Sequence, residues 1–300
     1  MPPTPGPDPI PAEPEAEHDA AAGASQGTSQ PRLDALRRAA AAGALTAGRA
    51  IASAAVSGGQ AVASAYRAVD PDLRRHLVHA PLVGIGQLLP RRRGVEPLAA
   101  DGHRVVIFVH GMAGDPGNFY LMQTWFSTLG RTRSYAPAFA GLPTVVEMAE
   151  QLRAFVDDVV HANRLGPGDR IDLVAHSQGG LVSRTALLDP GFAARIATLV
   201  TLGTPHGGTH AARYAATPQT LGLRPDSPIL RAIATQLPWP GPPTMPRLVT
   251  FWSDADLLLL PHETALVEGA DVVSMPGFTH LSYLLHPRSF HAVWQALASG

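Results

Sequence analysis

The chain of 300 residues contains no cysteine. That excludes disulfides, thiolate catalysis and cysteine-ligated metal, and it leaves the compartment open. Lysine is missing as well: the 23 basic residues are all arginine, and 24 acidic residues bring the net charge to -1. A chain so balanced has no electrostatic reason to seek nucleic acid, and no such partner is expected. Long apolar runs are also missing. The best uncharged stretch, 50–66, is built mainly of Ala, Ser and Gly and carries Gln60, so no spanning helix is predicted. The first twenty residues have neither the basic nor the apolar region of a secretory signal, which predicts a cytoplasmic protein. What is plentiful is core material, 45% of the residues being hydrophobic. Abundant Ala, Arg, Gly and Pro without Lys suggests a GC-rich genome, so Ala-rich stretches carry less structural information than usual.

The texture changes twice along the chain. Residues 1–31 are rich in Pro, Ala and acidic groups without apolar periodicity and read as a disordered tail. Residues 32–102 read as an Ala-rich helical arm and linker. Within it, 32–69 carries Arg32, Arg37, Arg38 and Arg49, a composition suited to weak association with an anionic membrane surface. Residues 70–102, with Leu82-Val83-Gly84-Ile85 and Arg91 to Arg93, read as a linker with a short docking segment. From His103 onward, strand-length apolar runs (104–110, 135–139, 170–176, 196–202, 247–252 and 271–275) alternate with helix-length amphipathic segments. That alternation predicts an α/β domain over 103–300, with a mostly parallel sheet covered by helices on both faces. In such sheets function collects at the carboxyl ends of the strands.

The chemistry-bearing motifs fall at those ends. Ala175-His176-Ser177-Gln178-Gly179-Gly180 joins the strand ending at His176 to a helix beginning at Gln178. A serine on so sharp a turn sits in a strained backbone, and small residues two before and two after it let chain segments approach. Here they are Ala175 and Gly179. The following helix aims its positive end at a developing oxyanion. Further candidate blocks are Val109-His110-Gly111-Met112, Thr204-Pro205-His206-Gly207-Gly208, Ser253-Asp254-Ala255-Asp256 and Gly277-Phe278-Thr279-His280.

The order and spacing of VVIFVHGMAGD, VAHSQGGLVSR, TLGTPHGG, FWSDADLLLLP and PGFTHLSYL resemble the α/β-hydrolase superfamily over about residues 103–300. The nearest likeness is to small bacterial triacylglycerol lipases and esterases with an AHSxGG motif. The general motif has Gly where this chain has Ala175, a mild departure. The resemblance implies a serine hydrolase acting on carboxylic esters, of lipids or other medium-to-long acyl groups, with Ser177 as nucleophile and no cofactor or metal. It implies an oxyanion hole from the backbone N–H groups of Met112 and Gln178, with His110 structural and His206 shaping the floor rather than acting as base. The order serine, acid, histidine places the base at His280, ahead of His286 and His291. For the acid, Asp254 and Asp256 compete, and the S-x-A-D pattern of the resembling lipases falls on Asp256. Similar enzymes have a short segment like 211–246 beside the acyl cleft, which Phe119, Tyr120, Met122, Trp125 and Phe126 either line or leave for the core. The same machinery serves an acyltransferase or thioesterase, and a non-catalytic hydrolase-fold binding protein is the remaining alternative. A serine nucleophile argues against epoxide hydrolases and dehalogenases, which use Asp.

Overall fold

The computed structural model describes residues 69–88 and 94–299, apart from positions 142, 215, 240 and 243. The tail expected over 1–31 and the arm up to residue 68 lie outside the described residues. Two compact units are present, one containing 78–300 and the other 12–77. Of the smaller unit only 69–77 are described. There Asp70 accepts hydrogen bonds from the backbone of Asp72 and Leu73 and so starts a helix. That helix, α1 (Pro71–Gln87), occupies most of what reads from sequence as a linker. Pro81, Gly84 and Gly86 are breakers on any propensity scale, which hides it.

The sheet has six parallel strands in the order β2-β1-β3-β4-β5-β6. These are β1 (Val106–Val109), β2 (Ser134–Tyr135), β3 (Ile171–His176), β4 (Ile196–Leu202), β5 (Arg247–Trp252) and β6 (Asp271–Ser274). β4 and β5 have the bounds the sequence predicts. β2 is shorter than 135–139, because Pro137 has no N–H to offer a ladder. Alternate strand residues feed two cores. On one face Ile107, Leu173 and Leu199 meet α3 (Val145–Ala162), α4 (Gln178–Ala186) and α7 (Pro228–Gln236). On the other, Phe108, Val174, Val200 and Phe251 meet α2 (Tyr120–Thr128) and α8 (Pro287–Ala298). Shorter helices α5 (Pro190–Arg195) and α6 (Pro218–Leu221) complete the order.

Local chemistry sets the helix starts. Thr144 and Glu147 form a reciprocal capping box on α3, with the Thr144 hydroxyl accepting from Glu147 N and the Glu147 carboxylate accepting from Thr144 N. Ser227 caps α7, with Pro228 at its first position. Between β1, β3 and the loop before β2, the fully buried Asp172 takes hydrogen bonds from Arg131 Nη2 at 2.6 Å and Arg104 Nε at 3.0 Å. Among the described residues no helix is long and apolar enough to cross a membrane.

Candidate active site

Ser177 stands where β3 turns into α4. Its φ of 56° and ψ of −129° are costly for a residue with a side chain, on the order of 1–3 kcal/mol. The surroundings hold it there. Ser177 N donates to Leu202 O at 2.9 Å, and its own carbonyl accepts from the Thr204 hydroxyl at 2.8 Å. The turn also demands small neighbours. A Cβ on Gly179 would lie 2.3 Å from the carbonyl oxygen of Val109, and one on Gly111 would lie 2.8 Å from the Ser177 Cβ. Ala175, at the other small position, is fully buried on β3.

The other two members arrive on loops. His280 Nε2 lies 2.8 Å from Ser177 Oγ, and His280 Nδ1 lies 3.0 and 2.9 Å from the two carboxylate oxygens of Asp256. The carboxylate accepts a hydrogen bond from Nδ1–H, which leaves the Nε2 lone pair facing the serine hydroxyl. Asp256 is fully buried and also accepts from Leu258 N at 3.0 Å. The competitors stand elsewhere. Asp254 is exposed, its carboxylate accepting from Gly277 N at 3.4 Å. His286 caps α8, accepting from Arg288 N, and His291 lies within α8 against Trp125.

The loop carrying Met112 adjoins the start of α4: a Cβ on Gly111 would come within 3.2 Å of Gln178 N. That brings the two expected oxyanion segments together beside Ser177. The Gln178 side chain is buried and donates to Gln219 O at 2.9 Å, tying α4 to the segment before β5. His110 bonds the Gly111 carbonyl through Nδ1 at 3.0 Å and sits edge-on to Phe139. His206 pairs with the Thr201 hydroxyl at 3.0 Å, beneath the turn of Thr204. Phe119, Met122 and Phe126 are fully buried between the sheet and α8, so they are core and line no cleft. Tyr120 is exposed and Trp125 half-buried. In the 211–246 segment, Leu223, Ile229, Leu230, Ile233 and Leu237 join the core, which leaves little chain to form a lid.

Three residues matter more than sequence reasoning allowed. His176, beside the nucleophile in its motif, donates from Nε2 to the backbone carbonyl of His280 at 2.8 Å, with the two rings 4.7 Å apart. Burial first, and the neighbouring His280 second, push its pKa down to about 3, so it stays a neutral donor. Gly203, with φ of 55°, leaves room for the acid: a Cβ there would lie 2.9 Å from Asp256 Oδ2. Thr204 fixes the nucleophile's carbonyl. The last two belong to the TLGTPHGG block, the signal that pointed toward the site without specifying a task.

The buried imidazoles predict an acid weakness. His206 is also held well below its ordinary pKa of 6.5, by burial first and then by Arg184. Both histidines stay neutral in the folded chain but bind protons in the unfolded one as pH falls below about 6.5. Stability is therefore fully present above that pH. It is lost progressively as the pH falls below that, for His176 down to its folded value near 3. Urea midpoints at pH 7 and pH 5 check this; an unchanged midpoint contradicts it.

Among the described residues no group of three or more histidine, aspartate or glutamate side chains is placed to hold a metal ion. Residues 105–239 match the family model described as palmitoyl protein thioesterase. Two curated relatives, triacylglycerol lipases of Pseudarthrobacter phenanthrenivorans and Burkholderia plantarii, are each 31% identical over 118 residues. That is 36% of this chain and 35% and 31% of theirs, so the chain spans about a third of the relatives it matches. Among solved structures, Aspergillus fumigatus lipase B superposes with a TM-score of 0.54 at 18% identity, covering 68% of this chain and 56% of that one. Mature Bacillus licheniformis lipase BlEst2 gives 0.54 at 15% identity, covering 68% and 96%. The fold is that of the α/β-hydrolases.

Proposed function

We propose that this chain is a serine hydrolase that cleaves carboxylic esters, of lipids or other medium-to-long acyl groups, through an acyl-enzyme on Ser177. The observation that carries this reading is the unbroken hydrogen-bond path from Ser177 Oγ through His280 to Asp256. His280 Nε2 takes the serine proton as Oγ bonds to the ester carbonyl carbon. The backbone N–H groups of Met112 and Gln178 receive the resulting oxyanion, each such donor contributing about 3–4 kcal/mol to the transition state. His280 then returns the proton to the departing alcohol, and water, activated by the same base, releases the acid. Asp256 fixes the tautomer and stabilises the imidazolium without itself becoming protonated. The triacylglycerol lipase relatives support the lipid class of substrate. In the same reading the arginines of 32–69 add weak attraction to an anionic membrane surface.

A second reading, thioester cleavage, is favoured by the family-model match over 105–239. It uses the same steps with a thiol as leaving group. A series of p-nitrophenyl esters from acetyl to palmitoyl, run beside the matching acyl thioesters, separates the two. Turnover rising from acetyl to octanoyl and beyond is expected. A preference of more than about a hundredfold for the thioester, some 2.7 kcal/mol of barrier, moves the assignment to a thioesterase. An added alcohol that captures most of the acyl group points to an acyltransferase instead.

The two aspartates make a further test. Asp256→Asn leaves the imidazole in the wrong tautomer and is expected to cost about 10⁴-fold in kcat. Asp254→Asn, remote from the imidazole, is expected to cost less than about tenfold. The opposite ranking in two folded variants moves the acid to Asp254.

A further inference from the structure

His280 stands on a loop, and a side chain on a loop keeps its aim only where the residues around it are held. On one side His176 Nε2 donates to the His280 carbonyl at 2.8 Å. On the other, Thr279 and Ser282 close a turn around the base: Thr279 N donates to Ser282 Oγ, and Ser282 N donates to Thr279 O, each at 2.9 Å. The two hydroxyls lie 3.0 Å apart, and both lie 3.3 Å from a single atom, His79 Nδ1, which α1 brings from 200 residues before Thr279. Thr279 and Ser282 are buried and His79 is half-buried. With Nδ1 as acceptor, the two hydroxyl protons fill two of the three edges of this triangle.

The helix is seated so as to present that atom. His79, Val83, Gly86 and Gln87 share one face at helical spacing. Val83 is buried in the core that holds Phe119 and Tyr283. Gly86 lies so close to Gly117 that neither has room for a Cβ, and Gln87 Nε2 donates to the Asn118 side chain at 2.9 Å. Asn118 in turn packs against the loop of Met112: a Cβ on Gly114 would come within 2.8 Å of Asn118 Nδ2, and Gly114 N donates to Gly111 O at 3.0 Å. Residues 78–87 thus run from the turn of the base to the oxyanion side, and the far end fixes where His79 falls.

We propose that His79 is a positioning residue for ester cleavage: through the hydroxyls of Thr279 and Ser282 it holds the turn that aims His280 at Ser177. This rests on the ester-hydrolase reading. Asp256 fixes the rotation of the imidazole and His176 fixes the carbonyl of its residue, but neither touches the hydroxyls of the turn. His79 does, and it reaches the base only through them. Without it the turn gains freedom at the point where the chain passes His280, and the 2.8 Å approach of Nε2 to Ser177 Oγ is kept for a smaller share of the time. A misplacement of about 1 Å in such a geometry costs on the order of a hundredfold in rate, so a smaller drift costs about tenfold. A segment ahead of the sheet therefore supports the chemistry without contributing a strand or a reacting group.

The test uses the full chain and dissolved p-nitrophenyl butyrate, with active sites counted by the end point of fluorophosphonate labelling. His79→Ala is expected to lower kcat per counted site about tenfold and to leave KM within about twofold, since no contact with substrate is lost. His79→Asn keeps a hydrogen-bonding group near the place of Nδ1 and should restore kcat per site to within about threefold of wild type. Thr279→Val removes one hydroxyl at nearly constant shape and leaves His79 in place. It should give a loss like that of His79→Ala, and the double variant should lose no more than about threefold beyond either, because both changes break one network. A purely structural role for His79 predicts something else: fewer labelled sites and a lower urea midpoint, with kcat per site unchanged. That result overturns the proposal, as do a His79→Asn variant no faster than His79→Ala and losses that multiply in the double variant. A wild type that neither turns over butyrate nor takes up the phosphonate would instead strike at the hydrolase reading.

Discussion

Ser177→Ala is expected to lower ester turnover by about 10⁶-fold, equivalent to about 8 kcal/mol of barrier, with the protein still folded. The hydroxyl is the only group removed, and it is the atom that His280 Nε2 approaches at 2.8 Å. The fold should tolerate the change, because the turn at 177 is held by backbone atoms: Ser177 N on Leu202 O, and the Thr204 hydroxyl on the Ser177 carbonyl. Alanine keeps a Cβ, so the positive φ costs it no more than it costs serine. What remains is the background supplied by the oxyanion N–H groups and by binding, roughly 10³–10⁴ over water. The measurement is kcat on a soluble p-nitrophenyl ester, with circular dichroism to show that the fold is kept. Turnover within about tenfold of wild type removes Ser177 from the mechanism.

His280→Ala is expected to cost nearly as much, again about 10⁶-fold in kcat, because serine and base act as one unit. The loss and that of Ser177→Ala should be far from additive in the double variant, whose rate should match either single one. His286→Ala loses the cap on Arg288 N and a ring contact with Phe278, about 1 kcal/mol of stability for the cap, and is expected to leave kcat within about threefold. His291→Ala loses an edge contact with Trp125 and is expected to behave the same way. Normal turnover by His280→Ala, or a collapse of turnover confined to His286→Ala or His291→Ala, moves the base.

Much of this was legible before any coordinates. β4 and β5 read correctly because each is a short apolar run with β-branched residues, bounded by breakers, Gly203 after β4 and Pro246 before β5. The sharp turn at Ser177 was legible because a small-x-Ser-x-small pattern between a strand and a helix answers one steric demand, now visible in the absent Cβ of Gly179. The role of His176 was not. Its partner is a carbonyl 104 residues away, a relation no local pattern encodes. The aromatics after the oxyanion loop were ambiguous for another reason. A residue such as Phe126 is equally at home in a cleft or a core, and only the position of α8 decides. α1 was hidden by its proline and glycines, yet its inner contacts with Thr279, Ser282 and Asn118 hold it beside the site.

The most direct test of the central claim is covalent labelling with a fluorophosphonate, followed by peptide mapping. A phosphonate reacts with a serine only where a base removes the hydroxyl proton and an oxyanion hole receives the phosphoryl oxygen, so it reads nucleophile, base and hole together. The account predicts one adduct per chain, on Ser177, with labelling lost in His280→Ala. An adduct on any other serine, or none on a folded wild-type chain, contradicts it.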